Sequence, residues 1–235
     1  MIKVLIWNEF KHEKKSDLVK AIYPDGMHRA IGEALKCDDI EVRYATLEEK
    51  NCGITDEILA DTDVIIWWGH MAHNEVPDEI AKKVQSAVLS GMGAIFLHSA
   101  HHSKPFRLLM GTTCNLCWRE DGDMERVWVV KPGHPIVSGI DRYFDLPHEE
   151  TYAEPFDIPE PMETILIGSY EGSEVFRSGA TYKRGNGKIF YFQPGHETFP
   201  TFYDENVKTI IKNAVYWVKS DYRKVIDCPN IKKIQ

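Results

Sequence analysis

The sequence predicts an α/β protein with a doubly wound, mostly parallel sheet and antiparallel additions in its second half. Three observations carry this expectation. Apolar runs of strand length alternate with helical periodicities through the first 110 residues, the signature of a parallel sheet covered on both faces. The second half changes texture. Strand-like runs there are separated by Pro132, Pro135, Pro147, Pro155, Pro159 and Pro161, which suits antiparallel strands and loops. A long amphipathic helix then closes the pattern.

The elements follow in order. Ile2–Trp7 is apolar except for Lys3 and reads as a strand buried on both faces. Met27, Ala30, Ile31, Ala34 and Leu35 fall on one helical face. Ile40–Ala45 alternates as a strand does, and Asp63–Trp68 is a second buried strand. Pro77 opens a helix with Ile80, Val84, Ala87 and Val88 on one side and Gly91 past its end. Ala94–His98 is the next strand and Phe106–Met110 a short helix. Glu125–Val130, Glu163–Ile167, Glu174–Phe176 and Lys188–Phe192 read as strands, with an Asn186-Gly187 hairpin signal before the last. Val207, Ile210, Ile211, Ala214, Val215 and Val218 define a helix over 205–219. Residues 1–220 are expected to form one domain, followed by a polar tail, 221–235.

Composition narrows the function. Hydrophobic residues make up 43% of the chain, enough for a sizeable core, and the formal net charge is -8. With no Lys/Arg-rich block, nucleic acid is not expected as a partner. No apolar stretch approaches the ~20 residues that cross a bilayer, and the apolar start is too short for a secretion signal. Five cysteines, an odd number spread along the chain, fit a reducing compartment, so a cytoplasmic protein without membrane contact is expected. Cys114-x-x-Cys117 has redox or zinc spacing but no second pair. No glycine pattern fits a dinucleotide fingerprint.

The chemistry gathers where apolar runs stop. Asp63–Trp68 ends in Gly69-His70, with His73 close behind. Ala94–Leu97 ends in His98-Ser99-Ala100-His101-His102. Lys188–Phe192 ends in Gln193-Pro194-Gly195-His196-Glu197. In a parallel sheet all carboxyl ends share one edge, and ligands bind in the crevice outside it. If the three strands run parallel, these side chains meet there. Imidazoles ligate transition metals and move protons near neutral pH. His70, His101 and His196 are therefore candidate ligands of a divalent metal, zinc first. His98, Ser99, Glu150, His196 and Glu197 are candidate catalytic groups. Asn8, at the end of the first strand, and Trp118, in a polar loop, are candidates for binding substrate. Glu149 and Glu150 are adjacent, so only one should face the crevice.

The motifs IIWWGHMAH, FLHSAHHSKPF, HPIVSGI, HEETY and IFYFQPGHETFPTF together resemble the ThuA-like (trehalose utilisation) family over nearly all of residues 1–220. That family belongs with the class I glutamine amidotransferase-like proteins. The resemblance therefore implies a flavodoxin-like fold and a role in using trehalose or a keto-sugar. It places the amidotransferase nucleophile turn at His98-Ser99-Ala100 and the catalytic histidine at His196. Here no cysteine stands at the turn. The amidotransferase glutamate position, two residues after the histidine, is Thr198.

Three functions are carried forward. The first is a sugar-processing enzyme of hydrolase or lyase type, with a metal in the histidine-rich crevice. The others are a metal-free serine hydrolase through Ser99 and His196, and a non-catalytic sugar-binding protein. A homo-oligomer is the general expectation.

Overall fold

The computed structural model describes residues 1–225 and 227–233. Among them, strands β1 (Ile2–Asn8), β2 (Ile40–Thr46), β3 (Val64–Trp68) and β4 (Gly93–Leu97) precede the chain's midpoint. Helices α1 (His12–Lys15), α2 (Asp17–Ile22), α3 (Met27–Ala34), α4 (Asp56–Ala60), α5 (Asp78–Ser90) and α6 (Lys104–Met110) lie around them. Then come β5 (Cys117–Arg119), β6 (Glu125–Val129), β7 (Tyr143–Leu146), β8 (Thr151–Ala153), β9 (Glu163–Tyr170), β10 (Val175–Arg184), β11 (Gly187–Phe192) and α7 (Glu205–Val218).

Nine of these strands form one sheet in the order β2-β1-β3-β4-β11-β10-β9-β6-β7, while β5 and β8 pair separately. From β2 through β11 the pairs are parallel. Beyond β11 they are antiparallel. The expected mixed architecture is therefore present, and β11 is the strand that joins its halves.

Period-two alternation builds two cores, one on each face. Val4, Ile6, Ile66, Trp68, Ile95, Leu97, Phe190 and Phe192 point to one, where α3 and α7 pack. Leu5, Trp7, Ile65, Trp67, Ala94, Phe96, Ile189 and Tyr191 point to the other, under α5 and α6. This division explains why the runs are apolar without interruption: each residue meets a helix layer whichever way it points. Trp7 and Trp67 stack at 3.8 Å between ring centroids. Asp78 and Glu79 occupy the first turn of α5, where the helix dipole favours them. Gly91 ends it at φ 124°, close against the backbone of Tyr222, where a side chain would not fit.

The differences from sequence are local. β10 runs on from Val175 to Arg184, past the expected end at Phe176. Ser178 and Gly179 interrupt its apolar pattern, and its register with β9 shifts there. Gly179 is needed because Leu166 leaves no room for a side chain. The hairpin turns at Gly185-Asn186, one residue before the Asn-Gly signal, with Gly185 at φ 56°. His98 is not the last residue of β4 but the first of a 3₁₀ turn. β5, β7 and β8 are three or four residues long and carry no readable periodicity.

Arg223 donates to the carbonyls of Leu59, Ala60 and Thr62, and Lys224 N–H donates to Ser90. Ile226, Ile234 and Gln235 of the expected tail lie outside the described residues. No helix among those described is long and apolar enough to cross a membrane.

Near the N-terminus, His28 of α3 is buried against β1, where its Nδ1 lies 3.0 Å from Asn8 Nδ2. Burial, helped by the Arg29 charge, lowers its pKa to about 4. The unfolded chain binds a proton at higher pH than the folded one. His28 therefore contributes stability above pH 6.5, and this is lost as pH falls towards 4. The loss amounts to about 3 kcal/mol at most. Between pH 6.5 and 4 the thermal midpoint of wild type should fall more steeply than that of His28→Gln, which keeps an acceptor but does not titrate. Equal slopes would contradict a neutral, buried His28.

Candidate functional site

Four adjacent strands end in one row. Asn8 pairs with Trp68, Trp68 with Leu97, and Leu97 with Phe192. The chain leaves each of them on the same edge and supplies, in turn, Glu9, His70, His98 and His196. The parallel alignment of β11 with β4 is what brings His196 to the other histidines.

Two of the four loops are held by buried carboxylates. Glu9, 1% exposed, accepts from the backbone N–H groups of His70, Met71 and Ala72 at 2.8–3.0 Å. Glu149 is fully buried. It accepts from the N–H groups of Gly195, His196 and Glu150, each at 3.0 Å, and from Thr201 Oγ1 at 2.8 Å. Burial raises the pKa of both carboxyls, and these hydrogen bonds oppose the rise. Gly195 adopts φ 137°, and Phe202 fills the space a side chain would need.

His98 stands at φ 52°, left-handed backbone in which histidine is tolerated but uncommon. The strained tip of the turn is thus His98, and Ser99 follows it. His98 Nδ1 lies 2.9 Å from the Gln193 carbonyl, which can only accept, so Nδ1 carries a proton. Its Nε2 lies 3.0 Å from Glu150 Oε2, without hydrogen-bond alignment, and 3.5 Å from the Tyr152 hydroxyl. Tyr152 stacks on the ring at 5.1 Å. Burial pulls the His98 pKa down, but Glu150 and the charge of Glu149 reverse this and raise it to about 9.

The ring centroids of His70, His98 and His196 lie 5.3–6.1 Å apart. His70, His98, Glu150 and His196 each present a donor atom within 4.8 Å of the others. His196 Nδ1 lies 2.8 Å from Thr198 Oγ1, while its Nε2 is buried with no hydrogen-bond partner. Glu197 Oε2 and Glu150 Oε2 are buried and unpartnered as well. Burial, reinforced by the neighbouring imidazoles, lowers His70 to about 3 and His196 to about 2. His12 falls to about 4, with burial again the main cause. Burial pushes Glu197 up to about 7.

The other sequence candidates fall around this group. His101 is outside it. Its Nδ1 lies 2.7 Å from the Cys114 carbonyl, its ring meets the edges of Tyr152 and Phe156, and His98 takes the ligand place expected of it. In both His-x-x-His spacings the first histidine joins the group and the second does not. A three-residue spacing aligns side chains only within one regular helix, whereas His70 precedes the 3₁₀ turn that His73 opens and His98 begins its own turn in left-handed backbone. Ser99 Oγ contacts Tyr152 at 3.3 Å. The contacts of His196 are Thr198, Glu197 and Glu120. Asn8 is fully buried and spends its side chain on Glu13, His28 and the Phe10 N–H, so it faces no ligand. Trp118 is 65% exposed and lines a cleft of about 430 Å³ together with His70, Ser99, Glu120, Glu150 and Tyr152. Cys114 is buried and Cys117 exposed, both free.

Sequence reasoning placed Glu9 at the crevice but missed His12, Tyr152 and the anchoring roles of Glu9 and Glu149. Thr198, at the place the resemblance gives to the amidotransferase glutamate, contacts His196 Nδ1.

The chain belongs to the family described as ThuA, trehalose utilisation, whose model matches residues 3–218. Among solved structures it is similar to a ThuA-like protein from Bacteroides uniformis, at 17% identity and TM-score 0.67, covering 94% of this chain and 92% of that one. A ThuA-like protein from Parabacteroides merdae matches at 14% and 0.66, covering 97% and 93%. A glutamine amidotransferase from Thermotoga maritima matches at 10% and 0.55, covering 92% and 97%. These likenesses establish the fold, which is the amidotransferase-like one expected. No curated protein matches the sequence.

Glu149→Gln should destabilise the protein by about 2–4 kcal/mol, because an amide nitrogen would face N–H donors in place of one oxygen. Urea unfolding measures this. A change below about 0.5 kcal/mol would show that the His196 turn does not depend on the carboxylate.

Proposed function

We propose that this member of the family is a metal-dependent enzyme acting on an uncharged sugar, with a divalent ion held by His70, His98, His196 and Glu150. One observation carries the reading: donor atoms from four loops converge within 4.8 Å of one another, and two of them, His196 Nε2 and Glu150 Oε2, are buried with no hydrogen-bond partner. Leaving such groups buried and unpaired is costly, and an ion among them offsets that cost. Three imidazoles and a carboxylate suit zinc. When bound, the ion supplies a Lewis acid for a sugar carbonyl.

The surrounding residues support sugar chemistry. Trp118 offers an exposed indole face on which a pyranose ring can stack. Tyr152 and Ser99 present hydroxyls to the same cleft. Glu197, whose pKa lies near 7, can hold or release a proton in the working range. Among the described lining residues there is no Lys or Arg, and Glu120 and Glu150 are acidic. Several nearby cations are tied to carboxylates: Arg119 to Asp121, Asp123 and Glu174, Lys11 to Glu48 and Glu75, and Lys104 to Asp78. A neutral sugar suits this lining better than a phosphorylated one.

The rival route through Ser99 and His196 lacks a serine–base contact, since the partner of Ser99 is Tyr152. A non-catalytic binding protein would take up sugar without turnover.

Protein purified without an affinity tag and loaded with zinc should retain about one ion per chain by mass spectrometry. His98→Ala and His196→Ala should each weaken retention roughly tenfold or more. On a panel of neutral disaccharides and their keto derivatives, turnover should vanish with chelator and return with metal. Wild-type protein that retains no metal, or turns over equally well in chelator, would remove the metal from this proposal.

A further inference from the structure

His12 is no member of the four-residue donor group, yet it touches it. It opens α1, with its side chain only 15% exposed, and the edge of its ring meets Trp68 at 6.1 Å. Its two nitrogens are used in opposite directions. Nδ1 lies 3.1 Å from Glu197 Oε1, and Nε2 lies 3.0 Å from His70 Nδ1. We infer that His12, backed by Glu197, is a positioning residue that fixes His70 with its bare Nε2 turned to the metal site. The inference rests on the metal reading above and adds a residue to it.

The protons follow from elementary hydrogen-bond rules. The charge of the Glu197 carboxylate attracts an N–H and repels a lone pair, so the one proton of neutral His12 sits on Nδ1, 3.1 Å from Oε1. A neutral imidazole has one N–H, so His12 Nε2 must accept. His70 Nδ1 is then the donor, and the lone pair of His70 lies on Nε2. His98 would reach the same state on giving up its Nε2 proton to an ion, because its Nδ1 donates to the Gln193 carbonyl. A metal ligand needs its other ring nitrogen held in this way, both to set the tautomer and to fix the plane of the ring. The loop carrying His70 is pinned separately, by Glu9 on its backbone. Backbone and ring thus have different anchors, and loss of His12 frees only the ring.

His12, His70 and Glu197 also lie close enough together to suggest a second ion. The contacts argue against it. One ion can take only one nitrogen of His12, yet the two short contacts use both, and these point away from each other.

The test is zinc affinity, measured by competition with a chromophoric chelator, for wild type, His12→Ala, His12→Leu and His12→Gln. A glutamine amide can donate to Glu197 and accept from His70, so it can rebuild the bridge. His12→Ala and His12→Leu should bind zinc about 10–100-fold more weakly, and His12→Gln within roughly threefold of wild type. The metal-free melting temperature of His12→Leu should match that of His12→Gln, which separates positioning from a general loss of structure. Wild-type affinity in both His12→Ala and His12→Leu would overturn the inference while leaving the metal site standing. So would a loss in His12→Gln as large as in His12→Ala; a fall from two ions to one would then mark His12 as a ligand. Wild-type protein that binds no zinc would end the metal reading itself, and this inference with it.

Discussion

The site depends on one kind of contact: a buried carboxylate accepting the backbone N–H groups that a parallel sheet leaves unpaired at its carboxyl edge. A strand that ends in a parallel sheet releases its chain into a loop whose amides still need acceptors. At Gly195 and His196 the acceptor is Glu149, which arrives from the segment between β7 and β8. At His70–Ala72 it is Glu9, from the strand next door. Each carboxyl gives up hydration to take this position, and its hydrogen bonds offset the loss. The gain is a rigid edge, on which side chains from four loops can be aimed at a common point.

That point has an electrostatic character of its own. Glu150 and Glu197 face it from the second half of the chain, and three imidazoles face it from β3, β4 and β11. With carboxylates this close, one positive charge among the imidazoles is favoured, and His98 is where the proton stays. The other rings stay neutral, because burial disfavours a second charge and each charged imidazole disfavours the next. The divalent ion proposed for this site would supply the same positive charge and would also engage the lone pairs that a single proton leaves bare.

How much of this was legible in the sequence depended on periodicity. Runs such as Val64–Trp68 and Ala94–Leu97 are apolar at every position because both sheet faces are covered, and that pattern survives in one dimension. From it came the parallel half, the shared edge and the histidines that meet there. The antiparallel half was harder. β10 carries Ser178 and Gly179 in mid-strand, for reasons that lie in Leu166 on the neighbouring strand. The anchors were invisible for a related reason. Nothing near Glu149 in the chain says that it will turn inward to Gly195 while Glu150 turns to His98. His12 follows β1, and only folding brings it to His70. Local pattern therefore identified the groups that point at the site but not those that hold them.

The turn after β4 shows how one scaffold position can change its chemistry. The resemblance to amidotransferases places their nucleophilic cysteine at this turn, where strained backbone lifts a side chain off the sheet edge into the crevice. Here the residue with positive φ is His98. A thiol acts at the end of a short arm and needs a base beside it. An imidazole reaches further and has a second nitrogen, which the Gln193 carbonyl of the next loop can hold. In the proposed metal site, the strain that would expose a nucleophile would direct a lone pair instead. The same substitution explains Thr198. A histidine that serves as a base for a thiol gains from a carboxylate behind it. One that serves as a neutral ligand needs only a hydroxyl to set its ring, and a further charge beside Glu150 and Glu197 would add repulsion to an already acidic site.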